Sequence, residues 1–118
     1  MNFADLFRHE NEPLTFQEGD SIIEKGSESK TFYVILEGSV EIRYKEQLLA
    51  TETAGGVFGE LSLVDNAPAS ADVVATSPTR LAAISEARFQ FLIQQHPFFA
   101  ISVMKVMAER IRNMNRLG

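Results

Sequence analysis

The residues best suited to chemistry lie together in Val57-Phe58-Gly59-Glu60-Leu61-Ser62-Leu63-Val64-Asp65-Asn66-Ala67-Pro68-Ala69-Ser70-Ala71. Gly59 and Glu60 open a short turn that can aim backbone N–H groups at one point, an arrangement that suits a small anion. Asp65 to Pro68 then folds the chain back, and the small residues Ala69, Ser70 and Ala71 follow where a ligand would approach the backbone closely. The segment reads as an anion cradle, yet it contains no Lys or Arg.

Other chemistries find little support. The chain has no Cys, which excludes disulfides, thiolate metal sites and cysteine nucleophiles. Its two histidines, His9 and His96, have no carboxylate spacing that would build a metal site. No histidine accompanies Ser62, Ser70 or Glu60, so no nucleophile–base pair is present. Gly55, Gly56 and Gly59 lie outside any parallel βαβ pattern, so they do not form a dinucleotide fingerprint. Neither an enzyme, nor a cofactor, nor a metal is expected.

The elements that must position the cradle follow from hydrophobic period. From 14 to 84 the pattern is one of short strands. Ile22-Ile23 follows the turn signal Glu18-Gly19-Asp20, and Thr31-Phe32-Tyr33-Val34-Ile35-Leu36 is β-branched and aromatic up to Glu37-Gly38. Val40, Ile42 and Tyr44 alternate with Ser39, Glu41 and Arg43 as in a half-buried strand, which sends Arg43 outward. Lys45-Glu46-Gln47 is a tight reversal into a strand from Leu48 to Thr53. Val73 to Thr76 and Leu81 to Ile84 flank the Ser77-Pro78 turn. Many short strands with frequent turns predict a mainly β fold, an antiparallel barrel or jelly roll (a double-stranded β-helix), in one domain spanning 1–118.

Helices are expected at the ends. Phe3 to His9 forms a short amphipathic one. Ser85 is the expected N-cap of a helix over 85–96, broken at His96-Pro97, because a residue before proline disfavours the α conformation. Pro97 suits the first turn of a second helix, over 97–116. Along it Ala100, Met104, Met107, Ile111 and Met114 are spaced four and three apart, beside Ile101 and Ala108. This stripe serves either as packing against the domain itself or as a homodimer seam, for which methionines make an adaptable contact.

The net charge of −5 is unevenly placed. Residues 1–97 carry seven Lys/Arg against 15 Asp/Glu, and residues 98–118 carry four against one. An acidic body argues against a nucleic-acid partner. The basic tail serves as a docking arm, or simply answers the negative end of the helix macrodipole. No run is long enough to span a bilayer, no signal peptide is present, and a cysteine-free chain suits the cytoplasm.

Taken together these motifs resemble the cyclic nucleotide-binding domain family, the sensor of catabolite activator proteins, protein kinase A regulatory subunits and cyclic-nucleotide-gated channels. The resemblance rests on Phe16-Gln17-Glu18-Gly19-Asp20, Gly26, Phe32 to Val40, Phe58 to Leu63, Ala67-Pro68, Arg88-Phe89 and the break before Pro97. It implies that the segment 57–71 is a phosphate-binding cassette. Gly59, Leu61 and Ser62 would then lend backbone groups. Glu60 would accept a hydrogen bond from a ribose 2′-hydroxyl, and Ser70 and Ala71 would close on the phosphate. Ile42 and Leu49, with Ile111 and Asn115 of the last helix, would wall the base. Asn115 has the alternative of a solvated residue near a fraying end.

One position departs from the family pattern: Ala69 stands where nucleotide-binding members typically carry Arg. Losing a hydrogen bond to a charged group costs ~1.5–3 kcal/mol, at least a tenfold loss of affinity. A substitute cation would have to come from Lys25 or Lys30 in a loop, or from Arg43 or Lys45. Two functions therefore fit the sequence. One is a regulatory sensor domain that binds cyclic AMP or cyclic GMP weakly; the other is a ligand-independent dimerisation or protein-interaction module with a protein effector. With no helix-turn-helix, kinase or channel segment before Gly118, the expectation is a stand-alone sensor or a piece of a longer protein.

Overall fold

A computed structural model describes residues 2–118. A short helix, α1 (Ala4–Phe7), precedes β1 (Leu14–Phe16), β2 (Ser21–Ile23), β3 (Thr31–Glu37), β4 (Ser39–Tyr44), β5 (Gln47–Thr53) and β6 (Val57–Phe58). The cradle helix α2 (Glu60–Asp65) follows, then β7 (Asp72–Ala75), β8 (Thr79–Ser85), α3 (Glu86–Gln95) and α4 (Pro97–Leu117). The strands form two antiparallel four-stranded sheets, in the orders β1-β8-β3-β6 and β2-β7-β4-β5. The mainly β fold with flanking helices is the one expected. The expected barrel takes the form of two sheets, each with its own edge strands.

The continuous apolar run of β3 is explained by its place between two layers. Phe32 and Val34 point to one face, where they meet Phe3, Phe7, Phe89, Phe99 and Val103 of the helical layer. Ile35 points to the other face, into an inter-sheet core with Ile23, Val40, Ile42, Phe58, Val73 and Leu81. A strand buried on both sides has no polar face to display, so it loses the period-two alternation that β4 keeps.

Local chemistry sets the boundaries. Lys45 and Glu46, at φ 52 and 64, form the two-residue reversal between β4 and β5, and this left-handed pair matches the strand twist. Ser85 caps α3 by accepting a hydrogen bond from the Arg88 N–H at 3.2 Å. His96, at φ −132 and ψ 90, breaks the chain between α3 and α4, and Pro97 opens the second helix. Two elements differ from expectation. The N-terminal helix is confined to Ala4–Phe7, and Val57-Phe58, read as the start of the cradle, pairs with β3 through Tyr33↔Phe58 and Val34↔Val57. That pairing fixes the strand from which the cradle departs.

Four phenylalanines fasten the helices to the first sheet. Phe99 stands edge-on to Phe3 and Phe32, with centroids 5.8 and 5.9 Å apart, and lies 6.0 Å from Phe89. Edge-to-face contacts of this kind add to the area term of burial. Phe99 is fully buried. Phe99→Ala should lower stability by ~3–5 kcal/mol, the usual cost of emptying a buried aromatic site, read as a lowered urea midpoint at an unchanged slope.

Candidate ligand pocket

The cradle forms where β6 ends. Gly59 takes φ 90, and a Cβ there would lie 2.5 Å from the Thr31 carbonyl oxygen. Only glycine fits so close to β3 in a left-handed conformation. Helix α2 runs from Glu60 and ends at Asn66, which is also left-handed at φ 57. The Ala67 N–H then donates to Asp65 Oδ1 at 3.0 Å, which tightens the reversal before Pro68.

The second half of the cradle is clamped by the loop after β2. The Ala69 N–H donates to the Ser27 carbonyl at 2.9 Å, and the Gly26 N–H donates to the Ala69 carbonyl at 2.7 Å. The Lys25 N–H donates to Asp72 Oδ1 at 2.8 Å, at the outward-facing start of β7. Ala69 is itself buried, and its methyl group belongs to the inter-sheet core.

These elements surround a cavity of about 50 Å³. Gly59, Glu60, Leu61 and Ser62 line it from α2, and Ala69, Ser70 and Ala71 from the returning segment. Ile42 and Leu49 wall it from β4 and β5, joined by Ile23, Phe58 and Val73. The structure thus brings these cradle and wall residues around one space. Ile111 and Asn115 are not among them, since both are exposed on α4. The helix instead sends Arg110 and Met114 into the cavity, one residue earlier in each case.

Arg110 is the feature missed from the sequence, where it was counted only within a basic tail. Its side chain is 4% exposed. Nη1 donates to Glu52 Oε2 at 3.0 Å, Nη2 donates to the Val57 carbonyl at 2.7 Å, and Nε lies 3.5 Å from Glu60 Oε1. A signal was available. Arg110 sits three residues after Met107 and four before Met114, on the inward face of the helix, where a charged residue requires buried partners.

Lys25, Lys30, Arg43 and Lys45, the cations nearest in sequence to fill a phosphate-binding role, lie outside the cavity. Arg43 pairs with Glu41 at 3.1 Å, and Lys30 donates to Asn66 Oδ1. Lys45 Nζ donates to the Gly118 carbonyl at 2.9 Å, and Lys25 does not line the cavity.

Glu60 is 2% exposed, and its Oε2 has no hydrogen-bond partner. Burial pushes its carboxyl above the ordinary value; the Arg110 guanidinium and the residue's own backbone N–H oppose the rise, and the Glu52 carboxylate adds to it. A carboxyl raised in the folded state contributes stability that is fully present below its unfolded pKa of ~4.3 and lost as pH rises through the folded value. Glu60→Gln removes that loss. The melting temperature of the variant relative to wild type should therefore climb from pH 4 to pH 8; a difference that stays flat or falls over that range contradicts the assignment.

The comparisons with known proteins converge on one family. Residues 13–96 match the model of the cyclic nucleotide-binding domain. The chain is 34% identical over 82 residues to a cAMP-dependent protein kinase regulatory subunit of Hypocrea atroviridis, covering 70% of this chain and 18% of that protein. It therefore spans about a fifth of that relative's length. Its fold superposes on cAMP-bound PfPKA-R with a TM-score of 0.82 at 25% identity, covering 91% of this chain and 37% of the other. It superposes on the Thermus thermophilus catabolite activator protein with a TM-score of 0.77 at 28% identity, covering 88% and 51%. With its two-sheet fold, its cradle and its matching sequence, the chain belongs to the cyclic nucleotide-binding domain family.

Proposed function

We propose that this chain is a regulatory domain whose pocket has only weak affinity for cyclic AMP and cyclic GMP. One observation carries the reading: the buried position after Pro68 is Ala69, and the one guanidinium at the cavity, Arg110, is tied to Glu52 and the Val57 carbonyl. The family pattern puts an always-charged planar donor at the position of Ala69, suited to bidentate contact with phosphate. Here an entering phosphate meets a methyl group.

The output of such a domain would run through α4. Its inner face reaches the cavity through Arg110 and Met114. Its last turn is held to the β4–β5 hairpin by Lys45 on the Gly118 carbonyl and by Gln47 Nε2 on the Leu117 carbonyl at 3.4 Å. A ligand larger than the cavity would have to move that turn, and a state that binds ligand better is populated by it.

The outer face of α4 supports a homodimer along a corrected seam. Of the stripe read from the sequence, Ala100 is buried, Met107 packs on the helical core and Met114 lines the cavity; only Met104 and Ile111 remain exposed. The exposed stripe is Ile101, Met104, Ala108, Ile111 and Asn115, spaced three and four apart. In a heptad frame Asn115 takes an a position, where a polar residue fixes register and favours two strands. Lys105 and Arg112 share an e edge, so an antiparallel partner would set like charges together and a parallel one would not. A ligand-independent interaction module would use the same stripe. The cysteine-free composition fits the cytoplasm, where we place the protein.

Two measurements test these readings. Cyclic AMP or cyclic GMP at micromolar concentration should leave the melting temperature of wild type unchanged. Ala69→Arg should gain at least tenfold in affinity for one of them, because only native-state binding stabilises. A shift of several degrees in wild type, or no gain in the variant, contradicts the weak-pocket reading. In sizing experiments, Ile111→Glu should convert a dimer to a monomer with the melting profile of the domain retained; a wild-type monomer at all concentrations removes the seam.

A further inference from the structure

We propose that the cavity selects an uncharged, hydroxyl-bearing ring compound, a nucleoside without phosphate, over the corresponding cyclic phosphate. The inference rests on the preceding reading only in taking this cavity as the ligand site.

Glu52 and Glu60 approach a single guanidinium, Arg110, with both carboxylates at or within 3.5 Å of it. Removing water strengthens each of these interactions. A phosphate group would bring another negative charge into a site whose one cation among the described residues already serves two carboxylates and a backbone carbonyl. An uncharged ligand adds none.

The backbone offers no alternative cradle at the critical position. The Ala69 N–H and carbonyl are both engaged, with Ser27 and Gly26. Helix α2 is six residues long, too short to gather much dipole at its start.

One acceptor in the cavity wall lacks a donor. Glu60 lines the cavity, and its Oε2 is almost fully buried and unpartnered. An acceptor left in that state is costly, and a hydroxyl or amino group of a ligand would form a charge-assisted hydrogen bond with it. Ile42, Leu49, Val73 and Met114 supply apolar walls for a flat ring. The cavity of about 50 Å³ is smaller than such a ligand, and Met114 lies near the end of α4, held by its own packing and that of Leu117 on the inter-sheet core and by two surface hydrogen bonds. Those contacts are the ones that entry would break.

The test is calorimetric titration of adenosine, guanosine, cyclic AMP and cyclic GMP into wild type, Glu60→Gln and Ala69→Arg. In wild type at least one nucleoside should bind tenfold or more tightly than its own cyclic phosphate. Glu60→Gln should weaken that binding at least tenfold while the variant stays folded by circular dichroism, and Ala69→Arg should reverse the order of preference. Equal or tighter binding of the cyclic phosphate to wild type overturns the proposal. Silence of both nucleosides with wild type also overturns it. In that second case, gain of cyclic phosphate binding by Ala69→Arg preserves the weak-pocket reading alone, and silence of every ligand with every variant removes both.

Discussion

The buried guanidinium of Arg110 ties together parts of the chain that the sheets alone do not join. It reaches from α4 to Glu52 on β5, to the Val57 carbonyl on β6 and to Glu60 at the start of α2. A charge at 4% exposure loses most of its hydration and is tolerated only with partners of this kind. Its removal would leave Glu60 and Glu52 facing each other without a cation. One side chain therefore links α4, the strand from which the cradle departs and the Glu60 carboxyl, whose rise on burial it opposes.

The two cores divide the remaining work. The aromatic cluster around Phe32 and Phe99 holds the helices to the first sheet, and the inter-sheet core around Ile35, Ile42 and Phe58 shapes the pocket floor. Ala69 belongs to the second core. Its methyl group fills an apolar position there and gives the pocket a dry wall.

Much of this was legible in the sequence because it is local. The turn at Lys45-Glu46, the Ser85 cap and the break at His96-Pro97 each depend on a few neighbouring residues, and the cradle is a single contiguous segment. Period two marked β4, and it failed to separate the faces of β3 because both are buried. Arg110 was harder to see. Its partners lie 50 to 58 residues earlier in the chain, and only knowing which face of α4 turns inward reveals it as a pocket residue. The helix itself offered two stripes, both spaced by threes and fours and sharing Met104 and Ile111. Since both are largely apolar, spacing alone could not choose between them; the core claimed Ala100 and Met107, the pocket claimed Met114, and Ile101, Ala108 and Asn115 were left outside.

That division of α4 supplies a physical route from pocket to surface. Met114 touches the cavity, and Ile111 and Asn115 lie on the outer face within one turn of it. A helical turn moves as a unit, because its backbone hydrogen bonds fix neighbouring residues relative to one another. An occupant that shifts the backbone turn carrying Met114 therefore also shifts Ile111 and Asn115, the apolar and polar residues that close the outer stripe. The restraint on that movement is uneven along the helix. Arg110 and the Phe99 cluster anchor the first two-thirds, and the end is held by the packing of Met114 and Leu117 on the inter-sheet core and by the Lys45 and Gln47 contacts. A helix held by buried charge and aromatic contacts over one part and by fewer contacts over the rest yields first where the contacts are fewer, and in α4 that is the stretch beyond Arg110.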